Sequence, residues 1–216
     1  MKKYTQEEYY EFPIIDGIKQ CPTGDYGAIK RFMARCSFAK NCTFSKGSIF
    51  PMESSFAEGC CFAPECIFTV TCTFAVGCDF GKRCNFAEGC DFAERNTFAG
   101  WCNFAERCCF GEGCSFAAWT FFSAGCRFAV GCSFAEKCKF AKGCSILGHK
   151  MLDDFVRSLS GVGDYRRTLY VWNTKDGWFC QAGCRFDKEE TFLFEVRRRY
   201  GNDSHYERAV KFLKEI

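Results

Sequence analysis

The sequence predicts a mainly β protein, a parallel β-helix of triangular section with about six 18-residue coils and a small α+β unit at its C-terminal end. Three observations predict it. A six-residue unit runs from Cys36 to Gly148 nineteen times without insertion or deletion. The third position of the unit is Phe in eighteen consecutive copies, Phe38 to Phe140, before Ile146 ends the series. The first is Cys in fifteen, with Ser48, Ser54, Asn96 and Thr120 in the others, and the fourth is small in nearly all.

The unit dictates its own geometry. Cys and Phe two residues apart point to one side of an extended strand, and the residue between them points to the other. The small fourth residue and a variable fifth then let the chain turn a corner. A helix cannot satisfy the pattern, because a period of six sets successive Phe residues about 240° apart around the cylinder. Three such faces make one 18-residue coil, and at about 4.8 Å per layer the repeat makes a prism roughly 30 Å long. Burying a Phe is worth about 1.5–3 kcal/mol and a free Cys packs as a small hydrophobe, so both read as core. The metrical spacing, with adjacent pairs at Cys60-Cys61 and Cys108-Cys109, is unlike a disulfide framework or a metal site. No metal and no cofactor are expected. Cys61 and Cys109 fall on the outward position and are the thiols expected to meet solvent.

The ends differ from the repeat. Residues 1–35 read as a cap, with a short apolar strand, a turn at Pro22-Thr23-Gly24-Asp25, and a brief helix or edge turn from Tyr26 to Phe32. Residues 149–216 read as a ββαα cap or interaction module. Met151 to Leu159 is expected as a short helix before a Gly161-Val162-Gly163 linker. Thr168–Trp172 and Trp178–Phe186 are expected as a hairpin across "NTKDG". Asp187 and Glu190 have capping-box spacing for a helix ending at Gly201, and Asp203 or Ser204 starts the last helix.

The unit resembles the hexapeptide repeat of left-handed parallel β-helices, with Phe where that family usually has Leu, Ile or Val. It is also similar to pentapeptide-repeat proteins, which use Phe or Leu, but their period is five and no slip to five occurs here. The resemblance implies a left-handed triangular coil. Together with "IKQCPTGDY" before the repeat and "YVWNTKDGWFCQAGCRF" after it, the chain resembles proteins of bacteriophages, prophages and gut bacteria. That resemblance implies a cytoplasmic setting in a bacterial host and a host or phage protein, such as a defence protein, as partner.

Charge narrows function. Lys+Arg 29 against Asp+Glu 26 leaves +3, and residues 36–148 carry ten charges of each sign, so neither a DNA mimic nor a strongly basic nucleic-acid binder is suggested. The charged N-terminus and the lack of an apolar run of about 18 residues predict a soluble chain with no membrane partner. With inward positions holding shape, function belongs to outward ones. Steps of eighteen residues give one row of Gly47, Glu65, Arg83, Trp101, Trp119 and Lys137, beside Ile49, Ile67, Asn85, Asn103, Phe121 and Lys139. Trp101, Trp119, Phe121, Ile49 and Ile67 therefore mark an apolar outer face, expected to bind a protein partner or a second copy unless a terminal segment covers it.

Two other readings stand beside a non-catalytic scaffold. Left-handed hexapeptide helices include acyltransferases that use a His and coenzyme A, and His149, at the end of the repeat, is the residue that resemblance nominates; His205 opens the last helix. No Gly-rich phosphate loop occurs. Arg197, Arg198 and Arg199, with Tyr200 and Tyr206, could contact nucleic acid, although eleven acids share that unit and a solvated helix surface explains them more simply.

Overall fold

The computed structural model describes residues 1–163, 166–183, 185–202 and 204–216. The repeat folds as three parallel sheets of mostly two-residue strands, each strand pairing with the one eighteen residues on. The first face runs from Ile18–Cys21 and Cys36–Phe38 to Ser145–Ile146; the second from Thr43–Phe44 to Ser133–Phe134; the third from Ile49–Phe50 to Lys139–Phe140. Stacked coils give a solenoid of about seven turns.

Side-chain alternation explains why the strands stop after two residues. In Asp79-Phe80 the outward residue is exposed and Phe80 is buried, and the next residues turn the corner. Main-chain pairing then passes between coils, as from Asp79 N to Cys60 O at 2.9 Å and Gly81 N to Phe62 O at 2.8 Å. Inside, phenylalanines of one face stack in register while those of adjacent faces meet edge to face. Phe86 lies 4.7 Å from Phe104 with planes 5° apart, and 5.1 Å from Phe92 at 83°. Both are favourable aromatic geometries. Each repeat Cys is buried at a corner, and its thiol commonly donates to the carbonyl twenty-one residues back, as Cys78 does to Ala57 O at 3.5 Å. Every cysteine among the described residues is free.

The four replacements of Cys are likewise buried and hydrogen-bonded, Ser54 by accepting from Cys36 N at 3.3 Å. Asn96, fully buried, donates to Ala93 O at 2.7 Å and accepts from Cys78 N at 2.9 Å. Thr120 donates to Ala117 O at 2.8 Å, and Ser48 to Ser45 O at 2.8 Å.

The core starts before Cys36. Tyr26 stacks on Phe44 at 5.5 Å and Phe32 on Phe50 at 4.9 Å, so both occupy the Phe position of an irregular coil. Its parallel bridges, Asp25 to Thr43 and Arg31 to Ile49, make the 26–32 segment an edge turn rather than a helix. Helix α1 (Gln6–Tyr10), with a Thr5/Glu8 capping box, drops the fully buried Tyr9 onto this end, and the Ile14–Ile15 strand closes the first sheet antiparallel.

The C-terminal unit departs from expectation in four places. Residues 151–159 form no helix: Met151 N bonds Cys144 O, Leu152 N bonds Asn173 O, and Asp154 O accepts from Phe140 N, so this backbone closes the last coil. Arg157–Val162 is instead a strand, absorbing Gly161-Val162 of the expected linker, and it pairs with Arg167–Thr174. The expected returning strand is two, Gly177–Ala182 and Arg185–Lys188, completing a four-stranded antiparallel sheet. Asp187 binds Arg185 rather than capping; α2 (Glu189–Tyr200) follows Lys188 without a side-chain cap bond and ends at Gly201. Ser204 caps α3 (His205–Glu215) through Glu207 N at 3.3 Å, and Asp203 lies outside the described residues.

Alternation in this sheet serves two cores. Tyr170, Trp172 and Phe179 join the solenoid core, whereas Leu169, Val171, Cys180 and Ala182 pack under the two helices. Trp172 sits 5.5 Å from Phe134, and the Tyr170 hydroxyl accepts from Phe134 N at 3.1 Å. The sheet is thus a lid on the last coil.

Candidate contact face

The third sheet carries the outer residues Ile49, Ile67, Asn85, Asn103, Phe121 and Lys139 in unbroken register. At its corner lie Glu65, Arg83, Trp101, Trp119 and Lys137, all with left-handed backbone; φ is +67° at Trp101 and +63° at Trp119. That conformation sends each indole outward at the same angle. The two rings stack 5.0 Å apart with planes 4° from parallel, and Lys137 Nζ lies 4.5 Å over Trp119.

Trp101 remains 48% exposed and Trp119 and Phe121 36% each, so a third to a half of this surface stays wet. Ile67 is 39% exposed and Ile49 partly buried. The five residues do not form one patch: Asn103 Nδ2 donates to Asn85 Oδ1 at 3.0 Å, and this amide ladder separates the isoleucines from Phe121. What remains together is the Trp101–Trp119 stack, with the exposed Phe121 two residues beyond Trp119 on the third sheet. Among the described residues the C-terminal unit anchors elsewhere, on the coil end at Cys132, Phe134 and Phe140.

The remaining candidates lie apart from this face. His149 Nδ1 is 2.7 Å from Asp176 Oδ2 and its ring packs 4.2 Å from Phe179, which orients the imidazole and covers one of its faces. His205 is exposed in the first turn of α3. Arg197 binds Glu207, Arg198 binds Glu195 at 2.6 Å, and Arg199 lies 5.5 Å from the Tyr200 ring, so the three arginines are engaged within the unit. Cys61 is exposed and Cys109 half-buried; burial pushes both thiols up, in Cys109 against Arg127, whose Nη2 donates to Sγ at 3.0 Å. No group of metal-ligating side chains occurs among the described residues, and no helix is long and apolar enough to cross a membrane.

One feature escaped the sequence. A hollow of about 440 Å³ lies between the Arg157–Val162 strand and α3. Exposed Leu159 and Phe212 were the available signal, hidden by the expectation of a helix at 151–159.

Comparison with family models, curated proteins and solved structures finds no match.

Proposed function

We propose that the protein is a non-catalytic solenoid scaffold that acts through protein contact, with Trp101, Trp119 and Phe121 as its binding surface and self-association as the first form to test. The observation carrying this reading is the stacked pair of half-exposed indoles on a rigid corner, because Trp anchors held in place before binding lose little entropy on contact. The resemblance of the repeat adds a setting to the proposal: a bacterial cytoplasm, with a phage or prophage origin and a host defence protein as partner. Trp101→Ala with Trp119→Ala tests it. Far-UV circular dichroism should be unchanged, while light-scattering mass or partner capture falls by about thirtyfold or more in affinity, the scale of losing a hot-spot Trp. An unchanged mass together with an unchanged capture profile refutes the proposal.

A further inference from the structure

We infer that the Trp101–Trp119 corner receives an acidic protein segment whose apolar residues are flanked by carboxylates. This occupant presupposes the contact face proposed above and gives it a chemistry. Coils stack at the corner through Arg83 N to Gly100 O and Trp101 N to Ala118 O, both at 3.2 Å. Along it, Gly100, Trp101 and Asn103 of one coil and Ala118, Trp119 and Phe121 of the next form an uncharged centre.

Cations bound that centre on both sides. Lys82 and Arg83 lie in the coil before it, and Lys137 and Lys139 in the coil after it, all exposed. Among the described residues Lys82, Lys137 and Lys139 make no ion pair, and Arg83 reaches only Glu65, at 4.0 Å. Glu65 is itself held by Lys46 at 3.1 Å. Against these four cations the same outward positions of the four coils offer one carboxylate, Glu136. The fields of the cations add over the aromatic centre and draw negative charge to it.

Charge and geometry select the occupant. A second copy fits poorly, because its own face brings the same excess of cations. A nucleobase finds no free face of Trp119 to stack on, since Trp101 covers one at 5.0 Å and the Lys137 ammonium the other at 4.5 Å. A carboxylate can still meet that ammonium from the solvent side, where donors remain. From the Arg83 coil to the Lys137 coil is three layers, about 14 Å, which an extended chain covers in about four residues. Carboxylates at i and i+4 therefore reach both pairs of cations. The residues between them lie against the part-exposed indoles and Phe121.

The test is fluorescence anisotropy on the full chain with fluorescein-labelled Gly-Asp-Leu-Phe-Leu-Asp-Gly, amidated at its C-terminus, and a control peptide with lysine in place of both aspartates. Saturable binding of the acidic peptide should weaken by about tenfold or more in Lys82→Glu with Lys137→Glu, in Trp101→Ala with Trp119→Ala, and with added salt. The lysine peptide and a labelled oligothymidylate should not bind. The inference is overturned by absence of saturable binding, by equal binding of the lysine peptide, by tighter binding of the oligothymidylate, or by undiminished binding in the charge-reversed variant with folded circular dichroism. It is equally overturned if light scattering shows a dimer that the tryptophan variant dissociates, which would make a second copy the occupant and leave the contact face standing. Undiminished peptide binding in the tryptophan variant would remove the contact face as well.

Discussion

Raising the pH tests the thiol columns of the core most directly. Three thiols show the sign and the size of each contribution. The hydrogen bond that Cys84 makes with Cys102, together with burial, pushes Cys84 up to about 12. Burial pushes Cys138 up to about 11 and Cys180 up to about 12. In an unfolded chain a thiol ionises near 8.5, roughly. Above that value the unfolded state has released these protons and the folded state still holds them, so stability falls as pH rises toward the folded values. Each thiol contributes a slope of about 1.4 kcal/mol per pH unit, and three together about 4 kcal/mol per unit.

By pH 10 these three alone remove about 6 kcal/mol, a large share of an ordinary stability of roughly 5–15 kcal/mol. Burial also raises Tyr9 and Tyr26, which steepens the fall at still higher pH. Urea melts in a phosphine reductant between pH 7.5 and 10, followed by circular dichroism, measure it. Cys138→Ala and Cys180→Ala should each lower the slope by about 1.4 kcal/mol per pH unit. A flat profile from pH 8.5 to 10, or an unchanged slope in both variants, refutes the reasoning.

Two further outcomes follow from the same core. Phe86, stacked on Phe68 at 4.8 Å and Phe104 at 4.7 Å, occupies a layer whose spacing is fixed by the backbone ladder, so Phe86→Ala cannot collapse the hole and should cost about 3–5 kcal/mol in urea melts; a cost below about 1 kcal/mol contradicts the packing. In a Cys184→Ser background, an aromatic disulfide reagent should label Cys61 and Cys109 in the native protein and the remaining thiols only after denaturation; fast labelling of Cys84 or Cys90, both fully buried, contradicts it.

The repeat was legible because one residue type marks one face. Stepping eighteen residues along the sequence placed Ile49, Ile67, Asn85, Asn103, Phe121 and Lys139 on one row, and the strands pair in that register. The coil before Cys36 was hidden because Tyr26 and Phe32 have Gly24 and Lys30, not Cys, two residues earlier. The edge strand was hidden for a different reason. Arg157-Ser158-Leu159-Ser160-Gly161 has too few apolar residues to declare a period, and its pairing with Arg167–Thr174 is settled by tertiary contact. Contiguity of the outer face was also beyond a row reading, since asparagines that look merely polar turn out to bond each other across coils.

The corner residue ahead of each unit gives the strongest reason to look outside the chain for the role of the tryptophans. From Asn41 to Gly143 its backbone is left-handed at every unit, and glycine fills it at Gly47, Gly59, Gly77, Gly89, Gly113, Gly125, Gly131 and Gly143. Any other residue there costs about 1–2 kcal/mol. Charged occupants recover part of it locally: Glu53 binds Arg35, Arg107 binds Glu88, and Glu65 binds Lys46 at 3.1 Å. Trp101 and Trp119 recover about 0.5–1.5 kcal/mol from one shared stack, and about 0.5–1 kcal/mol from the Lys137 ammonium. Those returns offset the strain of one residue rather than two, while both rings keep a third to a half of their surface in water. Glycine at both positions would serve the coil at least as well, so the indoles are better explained by what they meet than by what they hold together.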